Sequence, residues 1–266
     1  MICPWWRVGN TGDMPLQLTK HEGWGNDFLV LADGPHAFTP ELARSVCDRR
    51  FGIGADGLLR LSRGTDTDLA MELLNADGSP AEMSGNGLRC LVQAALRLRW
   101  AKGPQISVAT AAGVRYAFVD ADAEPGAPVH DIRVDMGAVT IEGNDADDML
   151  LNVGNPHRVR RVPDPDRYDL VKAGLEHPDV NLEVIAVAGG NDTIKMRVHE
   201  RGAGETLACG TGACAVAIAA SHWGLTSGTL IKVRQPGGDA SVDIADTDHV
   251  QLAGPVRFIG TVELSD

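Results

Sequence analysis

The sequence is short of positive charge. Its 24 Lys and Arg stand against 36 Asp and Glu, a net charge of −12. A surface that binds nucleic acid or an anionic membrane needs clustered cations, so neither partner is expected. A small anionic substrate is still compatible, because a local site can be positive within an acidic protein. Long apolar runs are missing too: "ACAVAIAA" falls well below the roughly 20 residues of a membrane helix. The opening "MICPWWRVGNTGD" lacks the apolar core of a signal peptide. Residues 1–13 read as a loose extension, with Met14 as an alternative start. The cysteines Cys3, Cys47, Cys90, Cys209 and Cys214 are odd in number and contain no C-x-x-C pair. A disulfide framework or metal site is therefore not expected, and a reducing, cytoplasmic location is.

What is present is a soluble-type composition, 44% hydrophobic and 23% charged over 266 residues, enough for one large domain or two ordinary ones. "TIKMRVHE" alternates with Ile194, Met196 and Val198 on one face, and "ASVDIAD" does so with Val242 and Ile244. "LVLAD", "MELLN", "QISVAT", "YAFVD" and "DIRVDMG" read as further strands. Three helices are expected. "TPELARSVCDRR" opens with Thr39 as cap and Pro40 in the first turn. "NGLRCLVQAALRLRW" carries Leu88, Leu91, Val92, Ala95 and Leu96 on one face. "GACAVAIAASHWG" is apolar almost all round, which predicts a buried helix ending at Gly224. Strands outnumber helices without regular βαβ alternation, so the fold class is α+β.

The order of features repeats. "GWGNDF" precedes "SGNG" in the first half, and "VGNPHR" precedes "CGTG" in the second. Gly25 to Gly85 is 60 residues (85 − 25), and Gly154 to Gly210 is 56 (210 − 154). Between the halves lies "DADAEPGAPVHD", whose Asp, Pro and Gly mark a linker. Two similar domains are predicted, their Gly-x-Gly turns facing one another across a cleft.

A Gly-x-Gly turn that opens a helix leaves backbone N–H groups pointing outward at the positive end of the helix dipole. Such a place binds a carboxylate or phosphate, although a single copy is more often a tight packing turn. A cysteine there is expected to have a lowered pKa, making Cys209 a working thiolate near neutral pH. Two facing copies suit chemistry at the α-carbon of an amino acid: the carboxylate sits between helix ends, and preorganised amides stabilise the enediolate. One side chain removes the α-proton and its partner delivers one to the opposite face. No lysine stands in a pyridoxal-phosphate context and no long phosphate loop is visible, so no cofactor is expected.

"KHEGWGNDF", "CDRRFGIGADGLL", "NADGSPAEMSGNGLRC", "VGNPH", "ERGAGETLACGTGAC" and "QPGGDASV" together resemble the diaminopimelate epimerase family, over nearly all of the chain from Pro15 onward. The resemblance implies two pseudo-symmetric domains, each a mixed β-sheet wrapped around a central helix, with the active site in the cleft. It implies cofactor-independent interconversion of LL- and meso-diaminopimelate by two cysteines, for lysine and peptidoglycan synthesis. Domain limits of 14–128 and 129–255 follow, with a C-terminal strand over 256–266 packing back on the first domain. Cys209 matches the family's second catalytic cysteine, and Glu200 and His157 match polar residues beside the reacting centre. Gly85, Asn86, Gly210 and Thr211 match the positions whose amides hold the reacting carboxylate. Asn26, Asn75, Asn155, Asn181 and Arg201 match residues that hold the substrate, several at its distal end. Taken singly, Asn75 and Asn155 would read as turn formers, His157 as a structural histidine and Glu200–Arg201 as a solvated ion pair. Cys90 and Cys214 read as buried packing thiols.

The departure from the family is Ser84, which stands where the first cysteine belongs. A hydroxyl forms no anion at neutral pH without a strong neighbouring base. Three accounts stay open: a deliberate Cys-to-Ser change that traps substrate, a natural Ser/Cys pair, or divergence to a one-base isomerase or lyase on a related amino acid. A non-catalytic amino-acid-binding homologue is the alternative of a different class. A homodimer is among the options for the oligomeric state.

Overall fold

The computed structural model describes residues 15–81, 83–190 and 192–264. The extension expected over residues 1–13, the alternative start at Met14, Cys3, and the last two residues of the expected C-terminal strand lie outside the described residues. The chain divides into two compact units, one up to Ile132 together with the residues from Pro255 on, the other Arg133–Gly254.

In the first unit, β1 (Leu16–Gly23) and β2 (Asn26–Ala32) form an antiparallel hairpin. Its two loop residues, Trp24 and Gly25, have φ of 57° and 81°, as a primed two-residue turn requires. A tryptophan in that region costs about 1–2 kcal/mol. The indole offsets this by packing 3.7 Å from the guanidinium of buried Arg89. Next comes α1 (Pro40–Cys47), capped by Thr39, whose hydroxyl accepts the Leu42 N–H at 3.2 Å. β3 (Gly57–Arg63) runs parallel to β2, and β4 (Leu69–Asn75) runs antiparallel to β3. Then α2 (Gly85–Arg97) packs against β1 to β4, buried from Gly85 to Leu96. β5 (Gln105–Thr110) lies parallel to β4, with β6 (Gly113–Phe118) antiparallel to it and β7 (Val129–Asp135) beside β6. The last strand of the chain returns to β1, Leu264 opposite Leu16, and also neighbours β7, so this sheet closes on itself around α2.

The second unit opens with β8 (Thr140–Asn144), which pairs antiparallel with β9 (Asp148–Asn152). From β9 on it repeats the first unit's order of elements. β9 and β10 (Pro156–Arg161) form an antiparallel hairpin, followed by α3 (Leu170–Leu175). β11 (Asn181–Val187) is parallel to β10, and β12 (Thr193–Glu200) is antiparallel to β11, with the short β13 (Gly204–Thr206) on its edge. Then come α4 (Gly210–His222), β14 (Leu230–Gln235) parallel to β12, β15 (Gly238–Asp243) antiparallel to β14, and β16 (Gln251–Leu264). Both α2 and α4 are 13 residues long. The repeat expected from the motif order is thus a repeat of topology, and the α+β class holds. α4 is buried from Gly210 to Ala220 with no polar stripe, and Gly224 follows it at φ 66°.

Candidate active site

The turns "SGNG" and "CGTG" both become helix starts. Ser84 caps α2 with φ −141° and ψ 119°, and its Oγ accepts the Gly87 N–H at 3.0 Å. Cys209 caps α4 with φ −131° and ψ 115°, and its Sγ accepts the Gly212 N–H at 3.3 Å. Local sequence builds both: an extended capping residue whose side chain takes an orphan amide, then glycines where the chain turns.

Around Ser84, Asn26 and Asn86 are joined, Asn86 Nδ2 donating to Asn26 Oδ1 at 3.1 Å. Asn26 Nδ2 donates to Asp56 at 2.7 Å, and Asn86 Oδ1 accepts from Arg89 at 2.7 Å. Asp56 and Asp27 are held in turn by Arg49, at 2.7 and 2.6 Å. Asn75 lies at the exposed end of β4, donating to Ser79 Oγ at 3.0 Å within its own turn. Gly85 is the first, buried residue of α2.

The second unit gathers more chemistry. Cys209 is 5% exposed. Its Sγ lies 3.4 Å from Thr211 Oγ1, and its backbone N–H donates to Gln235 Oε1 at 2.8 Å. Glu200, at the end of β12, turns its carboxyl inward to Thr206 Oγ1 and to the Cys209 thiol. It is no solvated ion pair with Arg201, which is exposed. His157 on β10 is buried, Nδ1 at 2.7 Å from Glu183 Oε1 and Nε2 at 2.9 Å from Asn155 Oδ1. Asn155 Nδ2 donates to Thr211 Oγ1 at 3.4 Å. Asn181 accepts the Arg201 N–H at 2.9 Å and donates to the Pro156 carbonyl at 3.2 Å. His157, Asn155, Thr211, Glu200 and Cys209 therefore form one cluster, with Asn181 and Arg201 at its edge and Gly210 opening the helix.

The lowered thiol pKa expected from the helix start is corrected here. Burial pushes the Cys209 thiol well above its ordinary value, and the carboxylates of Glu200 and Glu183 push it further. The Thr211 hydroxyl and the Gly212 amide oppose them and are outweighed. Glu200 is itself raised, chiefly by burial, against its bonds to Thr206 and Cys209. A thiol and a carboxyl that share a hydrogen bond and both resist ionisation titrate as a pair rather than singly.

Glu183, Gln235, Arg89 and the Asp27–Arg49–Asp56 group were not singled out from the sequence as site residues. Glu183 left one signal, an acidic residue among the aliphatics of "NLEVIAV". Cys90 and Cys214 are fully buried within α2 and α4. Among the described residues no group of three or more His, Cys, Asp and Glu is arranged to hold a metal, and no helix is long and apolar enough to cross a membrane.

The sequence profile of a family described as diaminopimelate epimerase matches residues 18–142 and 149–259. The diaminopimelate epimerase of Thermosynechococcus vestitus is 37% identical over 295 aligned positions, covering 94% of this chain and 100% of that one. That of Desulfitobacterium hafniense is 32% identical over 277 positions, covering 92% and 96%. Among solved structures, a phenazine biosynthesis protein of the PhzF family from Bacillus anthracis superposes with a TM-score of 0.73 at 12% identity, covering 95% and 99% of the two chains. A probable proline racemase from Agrobacterium radiobacter K84 gives 0.71 at 17%, covering 94% and 92%. At such identities the shared property is the fold.

Proposed function

The chain belongs to the diaminopimelate epimerase family and is an isomerase of that type, and from that premise we propose that it interconverts LL- and meso-diaminopimelate without a cofactor, as a step towards lysine and peptidoglycan. The observation that carries the reading is the Cys209 centre: a buried thiol capping α4, beside the carboxyl of Glu200, with Asn155 and Thr211 adjoining.

In this scheme the amides of Gly210 and Thr211, and those of Gly85 and Asn86, hold the reacting carboxylate and stabilise the enediolate. Cys209 takes or returns the α-proton on one face, with Glu200 as the proton's other station. Ser84 holds the place of the second group. Asn26, Asn75, Asn155, Asn181 and Arg201 bind the remainder of the substrate, Arg201 pairing with its distal carboxylate. Supporting this assignment, Ser84 caps α2 as Cys209 caps α4, so replacing sulfur by oxygen preserves the amide cradle. Losing one proton-transfer group typically costs about 10²- to 10⁴-fold in rate.

Incubating LL- and meso-diaminopimelate separately in D₂O, with α-deuteration and stereochemistry followed together, tests the reading. Deuterium with inversion supports two-face transfer through Ser84 or a water beside it. Deuterium in one isomer without inversion identifies a one-base isomerase or lyase. Binding without exchange leaves an amino-acid-binding homologue, and neither binding nor exchange overturns diaminopimelate as the substrate.

A further inference from the structure

The two units support their central helices differently. β2 and β3 pair Phe28 with Gly57, and β10 and β11 pair His157 with Asn181. Phe28 thus corresponds to His157, and Leu59, two residues beyond Gly57, corresponds to Glu183, two beyond Asn181. Above them stand Gly87 and Gly212, each the third residue of its helix. A Cβ on Gly87 would lie 3.5 Å from Leu59 Cδ2, whereas a Cβ on Gly212 would lie 2.5 Å from Glu183 Oε1. The same turn of helix rests on an apolar pair in one unit and on an ionisable pair in the other.

Packing does not call for the ionisable pair, since Phe28 and Leu59 fill the same place and are buried. Taking a carboxylate out of water costs several kcal/mol unless its partners repay it. Here Glu183 Oε1 has one such partner, His157 Nδ1 at 2.7 Å, with both side chains 0% exposed. Among the described residues Oε2 has no hydrogen-bond partner. From His157 the contacts lead by Asn155 Oδ1 and Thr211 Oγ1 to Cys209 Sγ.

We propose that Glu183 is a positioning residue for the reaction at Cys209: through Oε1 it fixes His157, and behind it Asn155 and Thr211, and from beneath the first turn of α4 it sets the surroundings in which the thiol gives up its proton. This rests on reading Cys209 as the group that moves the α-proton. Among the described residues, the ionisable groups around the thiol are Glu200 from β12, Glu183 from β11 and His157 from β10. The amides of α4 and the neutral Gln235 from β14 complete its surroundings. Burial raises the pKa of Glu183, with His157 opposing it; once ionised, Glu183 opposes thiolate formation from below, while Glu200 bonds the thiol. A thiolate held in such company is the stronger base once its proton has left, which an α-proton of low acidity demands.

The test uses the full chain as Glu183→Gln, which keeps shape, and as Glu183→Leu, the residue found at the equivalent place in the first unit. The pH dependence of Cys209 alkylation by iodoacetamide is followed by peptide mass spectrometry. The midpoint should fall by about one pH unit in both variants, because removing a nearby negative charge eases ionisation. With diaminopimelate as substrate, kcat should fall about tenfold in Glu183→Gln, less than removing a proton-transfer group costs, with KM changed less. A purely structural Glu183 would lower the melting temperature and leave the midpoint where it was. An unmoved midpoint in folded Glu183→Gln overturns the proposal. Should the unaltered chain fail to exchange the α-proton of diaminopimelate, the substrate reading fails, while the alkylation midpoint still decides the role of Glu183.

Discussion

Asn75 and Glu200 occupy the same place in the two units. Asn75 ends β4 opposite Gly57, and Glu200 ends β12 one residue beyond the Leu182–His199 pair, level with Asn181. Each precedes its helix cap by nine residues, 84 − 75 and 209 − 200. One position carries a neutral amide and the other an acid, so the duplicated scaffold is electrically unequal. With Phe28 and Leu59 matching His157 and Glu183, the three positions that are ionisable around Cys209 are neutral in the first unit.

On the proposed scheme, Glu200→Gln removes the proton's second station and should lower kcat for diaminopimelate by roughly 10²- to 10⁴-fold. It should also change the dependence of stability on pH. The folded-state pKa of Glu200 is raised by burial, so its contribution is fully present below the unfolded-state carboxylate value and is lost as pH rises through the folded value. Melting curves at pH 4 and pH 7 should therefore shift relative stability towards the variant at the higher pH.

Ser84→Cys should raise the rate of epimerisation by about 10²- to 10⁴-fold and leave the fold unchanged. The cap is safe because Cys209 already performs it, accepting the Gly212 N–H at 3.3 Å where Ser84 accepts the Gly87 N–H at 3.0 Å. Stereochemical assay in D₂O reads the gain, and a rate equal to that of the serine form would remove Ser84 from the reaction.

Gly87→Ala and Gly212→Ala should differ. The first adds a methyl 3.1 Å from Ser84 Cβ and 3.5 Å from Leu59, a tight but adjustable fit. The second places it 2.5 Å from Glu183 Oε1, which is pinned by His157. We expect about 1–3 kcal/mol of destabilisation at Gly212 and less than about 1 at Gly87, where helix propensity favours alanine. Urea unfolding of the two variants measures the difference.

His21 should make the protein acid-sensitive. It is buried between Gln93 and Thr19, and burial lowers its pKa from the ordinary 6.5 to about 4. A depressed histidine contributes stability that is present above about pH 6.5 and is lost as pH falls towards 4, up to about 3 kcal/mol. His21→Gln has no proton to gain, so denaturation at pH 7 and pH 4 should show a smaller loss than in the unaltered chain.

Much of the fold was legible locally. Thr39 as a helix cap, the two Gly-x-Gly turns as helix starts, the all-round apolar α4 and the alternation of "TIKMRVHE" are properties of neighbouring residues, and short-range sterics and hydrogen bonds decide them. The two-fold order of motifs was legible for the same reason, since each copy spells its own turn. The thiol's ionisation was not. Sequence supplied the helix start, which favours an anion, and from it a lowered pKa was expected. Burial, together with carboxylates 9 and 26 residues away in the chain (209 − 200 and 209 − 183), reverses the sign. His157, 52 residues from Cys209 (209 − 157), enters through the pairing of β10 with β11.

What the sequence determined by itself is therefore the pair of capped helix starts in "EMSGNGLRC" and "LACGTGACA", and the serine that arms one of them. What tertiary structure decided is the environment of each. Strand register carries Phe28 and Leu59 under one helix and His157 and Glu183 under the other, and a carboxylate's effect on a thiol depends on distance and dielectric rather than on separation along the chain.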